Sequence, residues 1–242
     1  MILPVEVILA EVAGELEWIV PPPVFIGGAT VGLFLDETGR AQMRPTKDVD
    51  CIVPAVTTAM EWFTLEAELR RRGWQPDMEG PICRYRSPSG HRVDLLAVRP
   101  EVQGFTGTWF EATVREAQVR VVEGRTLRVA SSSHLLANKI EAFRDRGTRD
   151  PPASQDLEDI VALLDGCEGL LAELGRASPG IQSFVAGWAR ETLASPDLFS
   201  IAEAQLPHGG DDAGRRERLR ETFTALAAPP AQSGGARRRR GR

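Results

Sequence analysis

Val5, Ile8, Leu9, Val12 and Leu16 recur at helical spacing and predict an amphipathic helix over residues 5–18. Pro21, Pro22 and Pro23 stop it and deliver an extended chain, because proline lacks an amide donor and restricts the residue before it. The apolar run Val24-Phe25-Ile26 reads as a strand ending on Gly27-Gly28, and an apolar segment with helical spacing follows over 29–35. Residues 36–44, DETGRAQMR, are polar and read as a loop. Residues 48–53, DVDCIV, read as a second strand. A longer helix is expected over 57–73. Met60, Phe63, Leu65 and Leu69 form its apolar side, and Arg70, Arg71 and Arg72 sit at the end where cations suit the helix dipole.

The pattern then changes to a hairpin. Residues 83–86 and 91–98 flank Ser87-Pro88-Ser89-Gly90, a turn by composition. Residues 103–113 are rich in Gly, Thr and aromatics and read as an irregular excursion before a short helix. Two short strands follow over 118–122 and 126–130 around Glu123-Gly124-Arg125. From the serines at 131–133, good helix caps, the chain turns almost wholly helical: 134–146, 154–164, 168–174, 181–193 and 213–226. This places a boundary near Ala130, giving a core domain over 1–130 and a helical domain over 131–228. The remainder, 229–242, ends in an arginine run without apolar periodicity and is expected to be a disordered basic tail.

Length and composition narrow the class. A chain of 242 residues with 42% hydrophobic and 26% charged content can bury a sizeable core as a globular protein. A net charge of −5 argues against a generally basic nucleic-acid-coating protein, while a local basic cleft stays open. Cys51, Cys83 and Cys167 are odd in number and widely spaced, which suits small core residues in a reducing compartment rather than a disulfide framework. No apolar run reaches membrane-spanning length and the first residues lack a basic leader, so a cytoplasmic location with no membrane partner is expected.

Candidate chemistry concentrates in residues 24–53. Alternate residues of a strand share a face, so Asp48 and Asp50 project together while Val49 points away. Paired carboxylates repel unless something positive stands between them, and a hard divalent cation is the usual answer. Gly27 and Gly28 allow close backbone approach, and a helix start after them offers N–H groups to a phosphate. Taken singly, a solvated strand end and a simple turn explain the same residues; taken together they read as a phosphate cradle beside a Mg²⁺ site. Asp94 is an acid among apolar neighbours in its strand, so it either lies at an edge in water or faces the aspartate pair. On the later helices, Lys139, Ala142 and Arg146 form a partly polar stripe, and Asp156 and Asp159 share a face; spacing alone reads both cations as solvated helix charges.

The order Gly27-Gly28, helix, Asp48-Val49-Asp50 resembles the signature of the polymerase-β-like nucleotidyltransferase superfamily. With the helix carrying Lys139 and Arg146 and the acidic run Asp156 to Ile160, it looks most like the AbiEii/AbiGii and MenT-type toxin nucleotidyltransferases. The linker from Gly28 to Asp48 is longer than that group's usual one. The resemblance implies an α/β (α+β) fold: a nucleotidyltransferase-type mixed sheet flanked by helices, then an all-helical half that completes a cleft. It implies a Mg²⁺ or Mn²⁺ ion on Asp48, Asp50 and Asp94, and an NTP held by Gly27, Gly28, Thr30, Lys47, Lys139 and Asp156, with Lys139 on the phosphates. Asp156 would orient the nucleotide or the lysine, and Asp159 would secure helix packing. The implied reaction transfers NMP to a hydroxyl of a tRNA 3′ end or a protein, as the toxin of a toxin–antitoxin or abortive-infection system with an antitoxin partner. A small-molecule nucleotidyltransferase and a non-catalytic NTP- or partner-binding module are the alternatives.

Overall fold

Strand alternation sorts the molecule into two layers about one sheet. The computed structural model describes residues 4–44, 46, 48–105, 107–207 and 212–228. In chain order the elements are α1 (Val5–Glu15), β1 (Val24–Ile26), α2 (Gly28–Val31), α3 (Glu37–Gln42), β2 (Asp48–Val53), α4 (Ala59–Arg71), β3 (Gln75–Pro76), β4 (Arg84–Arg86) and β5 (Arg92–Ala97). They continue with α5 (Phe110–Arg115), β6 (Gln118–Val122), β7 (Arg125–Val129), α6 (Ser132–Arg146), α7 (Gln155–Gly166), α8 (Leu170–Leu174), α9 (Pro179–Ala194), α10 (Pro196–Ala204) and α11 (Asp212–Ala227). The fold is of the α/β class, with a seven-stranded mixed sheet in the order β3-β4-β5-β2-β1-β7-β6. β2 runs parallel to β5 and β1 parallel to β7; the other pairs are antiparallel.

Each face of the sheet has its own apolar layer. Phe25, Val49, Cys51, Val53, Val93 and Leu95 pack with Ile8, Leu9 and Leu16 around α1 and with Trp62, Leu65 and Leu69 of α4. Val24, Ile26 and Ile52 face the other way, onto a core shared with Leu135, Ile140, Leu157, Ile160, Val185 and Phe223 of the later helices. Because Ile52 points toward the helical layer, Asp50 and Asp48 do too. Side-chain alternation thus aims both carboxylates at α6 and α7.

Four local readings need correction. Met60 and Phe63 do not form the buried side of α4: they are 74% and 62% exposed, while Trp62 joins Leu65 and Leu69 inside. A capping box between Thr58 and Glu61 sets the helix start at Ala59, and Trp62 docks edge-on to Tyr85 with 6.2 Å between ring centres. The loop over 36–44 contains α3, because the Asp36 carboxylate accepts a 2.6 Å hydrogen bond from the Gly39 amide and caps a short helix. α10 went unread, although Ser195 caps it and Pro196 opens it, a usual start signal. β3 is too short to carry a pattern. Among the described residues, no helix is long and apolar enough to cross a membrane, and Cys51, Cys83 and Cys167 are free.

Candidate active site

The site is assembled by register. In the parallel pair β2–β5, Asp48 stands opposite Arg92 and Asp50 opposite Asp94; in the antiparallel pair β4–β5, Arg84 stands opposite Asp94. Asp48, Asp50 and Asp94 therefore share one sheet face and line one cleft. Two of the three carboxylates are engaged. The Arg84 guanidinium donates two hydrogen bonds of 2.8 Å to Asp94 and lies 3.7 Å from Asp48. Arg92 is 2.8 Å from the other Asp48 oxygen, an ion pair without hydrogen-bond alignment.

Asp50 differs. It has no hydrogen-bond donor and no ion pair among the described residues. Burial, then repulsion from Asp94, raises its carboxyl to about 6, against the pull of Lys139 and Arg146. Gly27 makes this placement possible. At φ +78° it is in the left-handed region, and a Cβ there would fall 1.8 Å from the Asp50 carboxylate oxygen. Only glycine lets the β1–α2 turn close on the acid.

The helical wall of the cleft is an ion network in which Lys139, Asp156 and Asp159 are buried and Arg146 is exposed. Lys139 lies 3.1 Å from Asp156 and 2.6 Å from Asp159, and Arg146 donates bonds of 2.7 and 3.1 Å to Asp156. Burial opposes the lysine's charge, but Asp159 and Asp156 outweigh it and raise its pKa. Burial likewise works to raise Asp156, yet the Arg146 hydrogen bonds and the Lys139 charge hold it below the ordinary carboxylate range. Asp159 does more than pack α7. It sits behind Gly28, where a Cβ would come within 3.1 Å of it, and it is 3.5 Å from Arg44. Arg44 also pairs with Glu158 at 3.0 Å, which ties the end of α3 to α7.

The cleft has two lobes that share Asp50, Arg84, Asp94, Lys139, Arg146 and Asp156. One, of about 580 Å³, adds Gly28, Arg44, Thr46, Arg92 and Arg149. Arg149 is exposed and unpaired among the described residues. The other, of about 430 Å³, is lined by Ile26, Gly27, Leu96, Phe105, Phe110 and Leu135, with Glu141 and Asp145. Cys83 reaches this lobe, but burial pushes its thiol up to about 12, so it is no nucleophile at neutral pH.

Of the residues expected at a nucleotide, Gly27, Gly28, Lys139 and Asp156 line the cleft. Thr30 does not: it is fully buried, and its hydroxyl donates a 2.9 Å hydrogen bond to the Gly27 carbonyl, so it braces the turn from behind. Lys47 and the basic tail lie outside the described residues. Sequence reasoning passed over Arg84, Arg92, Arg44 and Arg149. One signal was readable: in Arg84-Tyr85-Arg86 the buried Tyr85 marks the inner face, so both arginines must turn to the opposite face, that of Asp94.

The donor chemistry suits a hard divalent cation, since three carboxylates share one face and Asp50 has no ion pair among the described residues. As the side chains stand, no group of three or more His, Cys, Asp or Glu among the described residues is arranged to hold a metal ion. Asp48 and Asp94 are turned onto arginines instead, so a cation held there would have to take them from those partners.

No protein-family model matches the chain, and no curated protein matches it in sequence. Among solved structures, an antigenic nucleotidyltransferase-like protein from Paracoccidioides brasiliensis superposes with a TM-score of 0.50 at 17% identity, over 85% of this chain and 94% of that one. JHP933 from Helicobacter pylori gives a TM-score of 0.46 at 14% identity, over 92% and 90% of the two chains. Identity this low speaks to architecture alone: this chain shares its overall fold with that nucleotidyltransferase-like protein.

Proposed function

We propose that the cleft binds an NTP with Mg²⁺ or Mn²⁺ and transfers its nucleoside monophosphate to an acceptor hydroxyl, releasing pyrophosphate. Asp50 carries this reading. A carboxylate held against a glycine and facing a second acid, with no ion pair or hydrogen-bond donor among the described residues, is costly unless a ligand neutralises it. Asp48, Asp50 and Asp94 would hold the cation, which when bound offsets phosphate charge and acidifies an attacking hydroxyl. Arg149 and Arg92 stand at the mouth of the larger lobe as point attachments for phosphate oxygens. Lys139 is already paired with Asp156 and Asp159, so it would add positive potential behind the phosphates rather than a free ammonium. Asp94 would accept the proton of the acceptor hydroxyl once Arg84 releases it. The motif resemblance extends the proposal to a tRNA 3′ end or a protein side chain as acceptor, and to a toxin held in check by an antitoxin.

A second reading has its own support. Arginine pairing of Asp48 and Asp94 suits a non-catalytic module that binds NTP. Incubation with each α-labelled NTP, divalent cation and either total RNA or lysate protein separates the two. Pyrophosphate release with label in one fraction supports transfer and names the acceptor. NTP binding without pyrophosphate release overturns it in favour of the binding module.

A further inference from the structure

Arg84 stands opposite Asp94 on the cleft face of the sheet. Its strand, β4, lies next to the short edge strand β3, and its side chain crosses to Asp94 and on toward Asp48. It lines both lobes of the cleft and keeps 22% of its side chain in solvent. Lys139 offers the contrast: with its two aspartates it is sealed between sheet and helices, where separating charges is expensive. Arg84 can leave Asp94 and re-enter water at much lower cost, because its guanidinium already borders the open cleft.

The carboxylate face explains what would drive that exchange. Asp48, Asp50 and Asp94 place three acids together, and among the described residues Arg84 alone touches two of them. It acts as the counter-ion of the trio, yet it does not reach Asp50. A divalent ion would bring two charges where the guanidinium brings one, and with Arg84 displaced all three acids on this face would be open to it.

We propose that Arg84 is an internal counter-ion occupying the carboxylate trio, and that a divalent cation binds only by displacing it from Asp94. This rests on the nucleotidyltransferase reading of the cleft. Two consequences follow: bare metal binds weakly because it competes with a tethered cation, and displacement sets a guanidinium free at the junction of the lobes, beside the position where phosphate would lie. Metal binding and the readiness of the cleft for an anionic substrate become one event.

The test is Mn²⁺ alone, titrated into the full chain without nucleotide and followed by electron paramagnetic resonance or calorimetry. Arg84→Gln removes the competitor and should bind Mn²⁺ about 10- to 100-fold more tightly than wild type, the range expected from losing a charged, two-point contact. Arg84→Lys keeps a charge with one-point contact and should fall between them. Thermal melts give a second readout that covers poor folding. Arg84→Gln should melt lower than wild type in EDTA, and Mn²⁺ should raise its melting temperature more. Equal or weaker Mn²⁺ affinity in Arg84→Gln overturns the displacement role, and if Asp50→Asn still abolishes binding, the metal reading of the cleft survives. Failure of wild type and both arginine variants to bind Mn²⁺ overturns both.

Discussion

Replacing Asp50 by asparagine keeps the size of the side chain and removes a carboxylate without an ion pair among the described residues, so its effect on stability should follow pH. Burial and the neighbouring Asp94 raise the carboxyl from 3.8 to about 6. An acid with a higher pKa in the folded chain than in the unfolded chain binds more protons when folded. Its stabilising contribution is therefore complete below about pH 4 and is lost as pH rises to about 6, with no further change above. The full raise is worth roughly 3 kcal/mol, and water in the open cleft reduces this to about 1–3 kcal/mol. Asp50→Asn should thus match wild type near pH 4 and exceed it by that amount near pH 8, read by urea unfolding in EDTA. Mg²⁺ should narrow the gap near pH 8 by stabilising only wild type. A variant less stable than wild type near pH 8, or a difference indifferent to pH, would show that Asp50 has a counter-charge in the folded protein and refute its place at the centre of the site.

Gly27→Ala should be more damaging than any surface change, because its Cβ would meet Asp50 at 1.8 Å on a backbone with φ +78°; a loss above about 2 kcal/mol is expected in thermal unfolding, with Mn²⁺ binding impaired as well. Lys139→Met strips one of two cations from each of Asp156 and Asp159, leaving Arg146 and the more distant Arg44, and should cost about 3–5 kcal/mol in urea unfolding at neutral pH; a loss below about 1 kcal/mol would mean the ion network is not sealed. Because Asp156 is held below the ordinary carboxylate range, its share of stability is present above about pH 4 and fades as pH falls. On α4, Leu69→Ala should cost about 2–5 kcal/mol and Phe63→Ala less than about 0.5 kcal/mol, a contrast that calorimetry can check directly.

Much of the framework was determined locally. Alternation in DVDCIV gave Asp48 and Asp50 one common face, the serines before 134 and 155 supplied caps, and Glu123-Gly124 formed the turn of a hairpin with positive φ at both residues. These features depend on neighbours within a few residues, so the string of letters contains them. What the tertiary structure alone decided was pairing. Lys139 and Arg146 read alike as solvated helix charges; Arg146 is indeed exposed while it clamps Asp156, but Lys139 is buried against two aspartates of the next helix. Arg84 carried no motif; it became part of the site because strand register set it opposite Asp94. Met60 and Phe63 matched a helical stripe, but docking of Trp62 against Tyr85 chose the other face. Charge partners and buried faces are chosen by the packing of sheet against helices, across sequence gaps that local periodicity does not encode.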